Sequence, residues 1–167
     1  MSAIDHLQKD EAQAKIKELV DKADICLFTT ALTKLPLSSR PMSTQRADED
    51  GTLWFFSSKE SHKDMDITDD NRVQLFYANK ANYEFLSLFG TVDSFQDTEK
   101  ARELWNSMAK TWWDGPEDPS LTILKFVPQS GYYWDTKDGK AVSMLKIAIG
   151  TITGKETDGS IEGKINP

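Results

Sequence analysis

Between positions 38 and 63 the sequence gathers side chains that can grip a phosphate. Arg40 offers a fork of paired donors, Lys63 an ammonium, and Ser57, Ser58 and Ser61 hydroxyls, with the free N–H groups of a helix start close to Lys63. A turn at Ala47-Asp48-Glu49-Asp50-Gly51 brings the two halves together. With either a two-residue loop at Asp50-Gly51 or a four-residue loop from Asp48 to Gly51, Arg40 lies level with residues 59 to 61, beside the exit of the following strand. Pro41-Met42 and Trp54-Phe55-Phe56 run alongside and offer backbone amides and apolar faces to a flat ring. A phosphorylated aromatic cofactor fits both halves. A plainer reading stays open: the aromatics as barrel core, and Arg40 and Lys63 as surface charges balancing an acidic excess.

The elements that would position these groups are mostly strands. Ile16, Leu19, Val20 and Ala23 recur at helical spacing within residues 5 to 23, which predicts an amphipathic N-terminal helix. Strands follow at 25–32, 35–46 and 52–57, the last two forming a hairpin, and Pro36 and Pro41 mark an edge, a bulge or a turn toward a ligand. The polar stretch 61–70 opens on a capping pattern, Ser61-x-x-Asp64, with Ser57-x-x-Glu60 as a competing start. Further strands are predicted at 72–78 and 83–95, with a bulge or bend at Gly90, then a helix over 98–109 broken by Trp112-Trp113-Asp114-Gly115-Pro116. Strands at 121–127 and 131–134 are separated by Pro128, Asp138-Gly139 is a turn, and 141–152 is a closing helix. Residues 1–152 thus read as one domain, and 153–167 as a flexible tail. Seven strands that mostly succeed one another predict a mainly β fold, a small antiparallel barrel with flanking helices. A dinucleotide fold would need strand and helix alternation and a Gly-x-Gly-x-x-Gly turn, and neither is present.

Composition narrows the function classes. The chain has 167 residues with 38% hydrophobic content, enough for one domain with a core. No apolar run approaches the roughly 18 residues of a membrane span, and the start lacks a basic then apolar leader pattern, so a cytoplasmic protein is expected. A net charge of −7 argues against nucleic-acid and anionic membrane partners. The lone Cys26 and the histidines His6 and His62 are too few for a Cys/His zinc site, and the acidic run at 48–50 is a solvated turn, so no metal is expected. Cys26, in an apolar strand, reads as an inert core thiol.

The order of motifs brings in a family. Ser39-Arg40-Pro41-Met42, Gly51-Thr52-Leu53-Trp54-Phe55-Phe56-Ser57-Ser58, Ser61-His62-Lys63 and Asn71-Arg72-Val73 occur in succession. They are followed by Glu103-Leu104-Trp105, the Trp112 to Pro119 stretch and Gly131-Tyr132-Tyr133-Trp134-Asp135. In this the chain resembles, over about residues 10 to 136, the general stress protein 26 group of pyridoxamine-phosphate-oxidase-like split-barrel flavoproteins. The resemblance implies a split β-barrel homodimer with FMN in two clefts at the interface. It implies that Arg40, Lys63, Ser57, Ser58 and Ser61 hold the FMN phosphate and that Pro41, Met42, Phe55 and Phe56 line the ring. Trp113, with Trp112, would reach the flavin from the partner subunit, while Trp105 and Trp134 would serve packing. The implied activity is a flavin-dependent oxidoreductase with a nicotinamide or similar donor and an unknown small substrate. Its alternatives are a non-catalytic flavin-storing or sensing protein and a haem- or deazaflavin-binding relative. True pyridoxamine phosphate oxidases carry a C-terminal Arg-x-His segment, whereas no histidine follows His62 here, which argues against vitamin B6 oxidation. No catalytic residue is assigned, and His62 is expected to meet phosphate or solvent.

Overall fold

In the computed structural model, which describes residues 3–136 and 160–167, the apolar stripe of the first helix sets the first layer. Helix α1 (Lys9–Ala23) buries Ala12, Ile16, Leu19 and Val20 against the strands that follow. Two short N-terminal strands, β1 (Ala3–Ile4) and β2 (Leu7–Gln8), precede it. Strand β3 (Ile25–Thr30) alternates, with Cys26 and Phe28 inward and Ile25 and Leu27 outward. It pairs antiparallel with β4 (Ser38–Ala47), which places Arg40 opposite Phe28 and Met42 opposite Cys26.

The β4–β5 hairpin starts between the two expected registers and, past a bulge, takes that of the four-residue loop. Ala47 faces Leu53 and Arg46 faces Trp54, then a bulge at Gln45 shifts the register so that Thr44 faces Phe55. There the pairing ends. Beyond it residues 38–43 of β4 pair with β3, and residues 56–58 of β5 (Leu53–Ser58) pair with a later strand. The hairpin is joined at its turn and open at its far end, and this opening becomes the cleft described below.

Helix α2 (His62–Asp69) starts where Ser61 accepts the Asp64 N–H at 3.2 Å. Of the two competing caps, Ser61 is the one used. Asp64 does not reciprocate; its carboxylate accepts from the Ser94 hydroxyl at 2.8 Å. Strands β6 (Arg72–Asn79) and β7 (Glu84–Phe95) form the next hairpin. Helix α3 (Thr98–Leu104) is shorter than its apolar pattern suggests, because the Asn106 side chain accepts the N–H groups of Met108 and Ala109 and turns the chain. A single 3-10 turn at Ala109–Thr111 replaces the missing helical half.

Two strands expected on either side of Pro128 are one, β8 (Leu121–Thr136). Proline survives inside it because it sits at an irregularity. Gly90 of β7 faces Pro128 while Phe89 faces Ser130, so Gln129 is the extra residue of a bulge where no N–H is required of the proline. Gly90 is where the bend was expected, and a Cβ there would lie 2.2 Å from the Val127 carbonyl oxygen.

The expected flexible tail is corrected for residues 160–166. They form β9 (Ser160–Asn166), antiparallel to β8 and parallel to β1 and β2, with Ile165 fully buried. Gly163 lets this packing happen, since a Cβ would fall 1.6 Å from the Asp5 carbonyl oxygen. The expected turn at 138–139 and closing helix at 141–152 lie outside the described residues.

The sheet order β1-β9-β8-β5-β4-β3-β6-β7, with β8 also pairing β7, closes an antiparallel barrel of six strands, β3 to β8, with helices outside. Its interior holds Phe28, Phe55, Leu75, Leu88, Leu124 and Phe126. A second apolar cluster, around Trp54, Phe56, Leu104 and Ile123, lies outside the barrel under α3.

Candidate functional site

Because β4 and β5 part company beyond Thr44, a cavity of about 520 Å³ opens between Arg40, Pro41, Met42 and Ser43 on one side and Phe56, Ser57 and Ser58 on the other. Ser61 and Lys63 at the start of α2, and Met108, Trp112 and Trp113 from the loop after α3, complete its wall. This volume is typical of small-molecule sites. A chain with 27 acidic residues places no carboxylate among the described residues lining it.

Nine of the ten side chains singled out in the sequence line this cleft: Arg40, Pro41, Met42, Phe56, Ser57, Ser58, Ser61, Lys63 and Trp113. The tenth, Phe55, is corrected. Strand alternation turns it into the barrel, fully buried, with its ring 5.3 Å from Phe28 in an edge-to-face contact. Phe56 faces the other way and meets Trp105 and Trp113 at 6.0 and 5.9 Å. Trp112 and Trp113 were expected to arrive from a partner subunit; here they wall the cleft of their own chain, and Trp112 is 77% exposed. Trp134 meets Tyr132 in a tilted contact, ring centroids 4.8 Å apart, and is not among the lining residues. His62 is exposed and is not among the lining residues.

The polar part of the lining is built in two layers. In the first, the hydroxyls of Ser57 and Ser61 meet at 3.3 Å, and Lys63 follows on the first turn of α2. Burial lowers the Lys63 pKa and the Arg40 charge lowers it further, with Asp64 opposing. Two cations thus line one cavity beside a helix start, and the charge of one acts on the other, an arrangement that an anion relieves. In the second layer, the guanidinium of Arg40 donates to the Thr30 hydroxyl at 2.8 Å and to the Ser38 hydroxyl at 2.7 Å. Thr30 in turn donates to Asp66 on α2 at 2.7 Å. Sequence reasoning missed Thr30 and Asp66, as it missed Ile25, Ser43, Gln45 and Met108 in the lining. No local pattern marks them, since their roles come from strand pairing and helix docking.

Cys26 lies in the core, 2% exposed, and burial pushes its thiol up to about 12, so at neutral pH it carries no thiolate. Among the described residues, no helix is long and apolar enough to cross a membrane.

A mainly antiparallel barrel that opens along one hairpin, with cationic, hydroxyl and aromatic side chains lining the gap, defines a split barrel with a cavity of small-molecule size. Comparison with known proteins gives the family. Residues 11–158 match the family described as pyridoxamine 5'-phosphate oxidase like, and the chain belongs to it. Protein bli-3 of Neurospora crassa is 26% identical over 129 residues, covering 71% of this chain and 62% of that protein. The chain spans about three-fifths of the length of the curated relatives it matches. A solved structure from Jannaschia sp. CCS1 with a provisional general stress protein 26 name superposes with a TM-score of 0.78 at 22% identity, over 93% of this chain and 98% of that one. The general stress FMN/FAD binding protein of Xanthomonas citri gives 0.64 at 24% identity, over 75% and 89%. At these identities the structural likeness concerns the fold.

Proposed function

We propose that the cleft binds FMN and that the protein is a flavoprotein of the general stress type, working as an oxidoreductase on a small substrate with a nicotinamide or similar donor. The observation that carries the reading is that Arg40, Lys63 and three serines line the same cavity as Phe56, Trp112 and Trp113. The residues fit the cofactor. A phosphate dianion neutralises both cations, Ser57, Ser58 and Ser61 supply hydroxyl donors, and Met42, Phe56 and Trp113 offer apolar faces for a flat ring. The Xanthomonas citri relative's description as an FMN/FAD binding protein agrees with this choice.

FMN, when bound, supplies the electron chemistry, and the chain's part is to hold, orient and shield it. The two titratable groups in the lining, Arg40 and Lys63, serve the phosphate, so no protein acid or base is assigned. Assembly as a homodimer belongs to the same proposal. Ile25 and Leu27 on β3 and Phe76 on β6, each about half exposed, form with Pro41 an apolar sheet face, and Ile25 and Pro41 also line the cleft. A second copy seated there would cover this face and close the cleft.

The test is an FMN titration of the purified protein, followed by exposure of the loaded protein to NADH and NADPH. Wild type is expected to bind FMN, and Arg40→Ala to weaken that binding by about 2 to 4 kcal/mol, the scale of a lost charge-assisted bidentate contact. Equal affinity in both proteins would remove Arg40 from the phosphate site. Reduction by either donor supports the oxidoreductase, and tight binding without reduction supports storage.

A further inference from the structure

We infer that Thr30 is a positioning residue whose hydroxyl keeps Arg40 and Asp66 from collapsing into a direct ion pair, so that the guanidinium stays available to the cleft. The inference rests on the FMN reading and concerns how the phosphate end is held ready.

The geometry is directional. A threonine hydroxyl has one proton, and that of Thr30 goes to the Asp66 carboxylate at 2.7 Å. The Thr30 oxygen is then left to accept from Arg40, at 2.8 Å. The direct distance from the Arg40 guanidinium to the same Asp66 oxygen is 3.7 Å, too long for a hydrogen bond and short enough for strong attraction. Thr30 is fully buried at the end of β3, so the spacer is fixed by the barrel and not by a mobile surface chain. Asp66 sits three residues after Lys63 on α2, so one helix carries both the second phosphate ligand and the carboxylate that competes for the first.

Remove the hydroxyl and both partners lose a hydrogen bond at once. The nearest remedy is for the guanidinium to close the last ångström onto Asp66, which draws its charge away from the cleft and neutralises it. Asp66 is thus an internal rival for the bound phosphate, and Thr30 holds it at arm's length.

The experiment compares FMN with riboflavin, which lacks the phosphate, by titration of the full chain. Thr30→Val is expected to weaken FMN at least about tenfold and leave riboflavin within about twofold, whereas Thr30→Ser binds both as wild type does. The double variant Thr30→Val with Asp66→Asn recovers FMN affinity to within about threefold of wild type, because the rival charge is gone. Wild-type FMN affinity in Thr30→Val, a parallel loss of FMN and riboflavin, or no recovery in the double variant would each overturn the inference. If Thr30→Val does not fold, Asp66→Asn alone decides: FMN binding as tight as wild type or tighter supports the rivalry, and weaker binding overturns it. Wild type and Arg40→Ala separate the two levels. If Arg40→Ala leaves FMN affinity intact, Arg40 is not a phosphate ligand and this inference falls with it; if wild type binds neither FMN nor riboflavin, the flavin reading itself falls; if Arg40→Ala weakens FMN while Thr30→Val does not, only this inference falls.

Discussion

Two regions of this molecule are rich in lysine and arginine, and they sit in opposite electrostatic settings. On the exposed side of α1, Lys15 reaches Glu18 at 2.7 Å and Asp135 at 2.9 Å, while Lys22 reaches Glu18 and Glu84, both at 2.7 Å. Burial works against the Lys15 charge, yet its carboxylate partners outweigh burial and raise its pKa; the hydrogen bonds that Lys22 donates to Glu18 and Glu84 raise that of Lys22. Carboxylate oxygens of Glu18, Glu84 and Asp135 lie within 4.8 Å of one another, and the ammonium groups of Lys15 and Lys22 offset two of the three charges. In the cleft the compensation is thinner. Burial lowers the pKa of both Arg40 and Lys63, and the nearest carboxylate to Arg40 stands behind it at 3.7 Å. The paired region ties a helix to the barrel. The cleft cations, compensated by hydroxyls and a single carboxylate at 3.7 Å, are left with charge that an anion can satisfy.

Charge reversal separates the two regions most widely. Lys63→Glu is expected to cost FMN binding about 3 kcal/mol or more while leaving the fold intact, since the new carboxylate can pair with Arg40. Lys22→Glu should do the reverse. It strips the cation from Glu84, whose side chain is 6% exposed, and should lower stability by about 3 kcal/mol, tempered by the part exposure of Lys22, with FMN affinity unmoved. Chemical denaturation and FMN titration of both variants would show the crossover, and parallel effects in the two assays would erase the distinction. A smaller effect is expected from Lys63→Met. Removing one of two facing cations should stabilise the ligand-free protein by about 1 kcal/mol, and thermal melting without FMN measures it.

The smallest expected effect is on pH dependence. Lys63 gives up its proton earlier in the folded chain than in the unfolded one, so between its lowered pKa and the ordinary lysine range the unfolded state binds more protons and stability rises with pH. Lys22 keeps its proton longer when folded, so its contribution is complete below the ordinary lysine range and is lost as pH climbs through its raised pKa. In alkaline melts without FMN, Lys63→Met should remove a rising component and Lys22→Met a falling one. Identical profiles for the two variants would show that the regions do not differ.

What could be read from the sequence divides along physical lines. Arg40, Lys63 and the serines announced themselves by chemistry, and one hairpin turn sufficed to bring them together. The strands around Cys26 and Val73 alternate in burial, and the one around Leu53 declared itself by an unbroken apolar run. Phe55 was misplaced because an aromatic run does not reveal which face each ring takes until a register is known. Strand β9 was missed because Glu162, Gly163 and Lys164 carry no strand pattern of their own; the pairing is dictated by β8 and by the N-terminal strands. Helix α3 was drawn too long since Trp105 and Met108 continue its apolar stripe, while Asn106 ends the helix through side-chain bonds that hydrophobic spacing does not record. Thr30 and Asp66, 36 positions apart, meet only after β3 and α2 have docked.

Strand β8 has an implication for how the chain is assembled during synthesis. It pairs with β5 along residues 121–126, with β7 along residues 123–134 and with β9 along residues 131–136, so three neighbours depend on one late segment. Until those sixteen residues leave the ribosome, β5 and β7 each present a bare edge to solvent and to other nascent chains. The last stave of the barrel is thus also its safeguard, and the cleft wall carried by β5 takes its final shape only when that stave arrives.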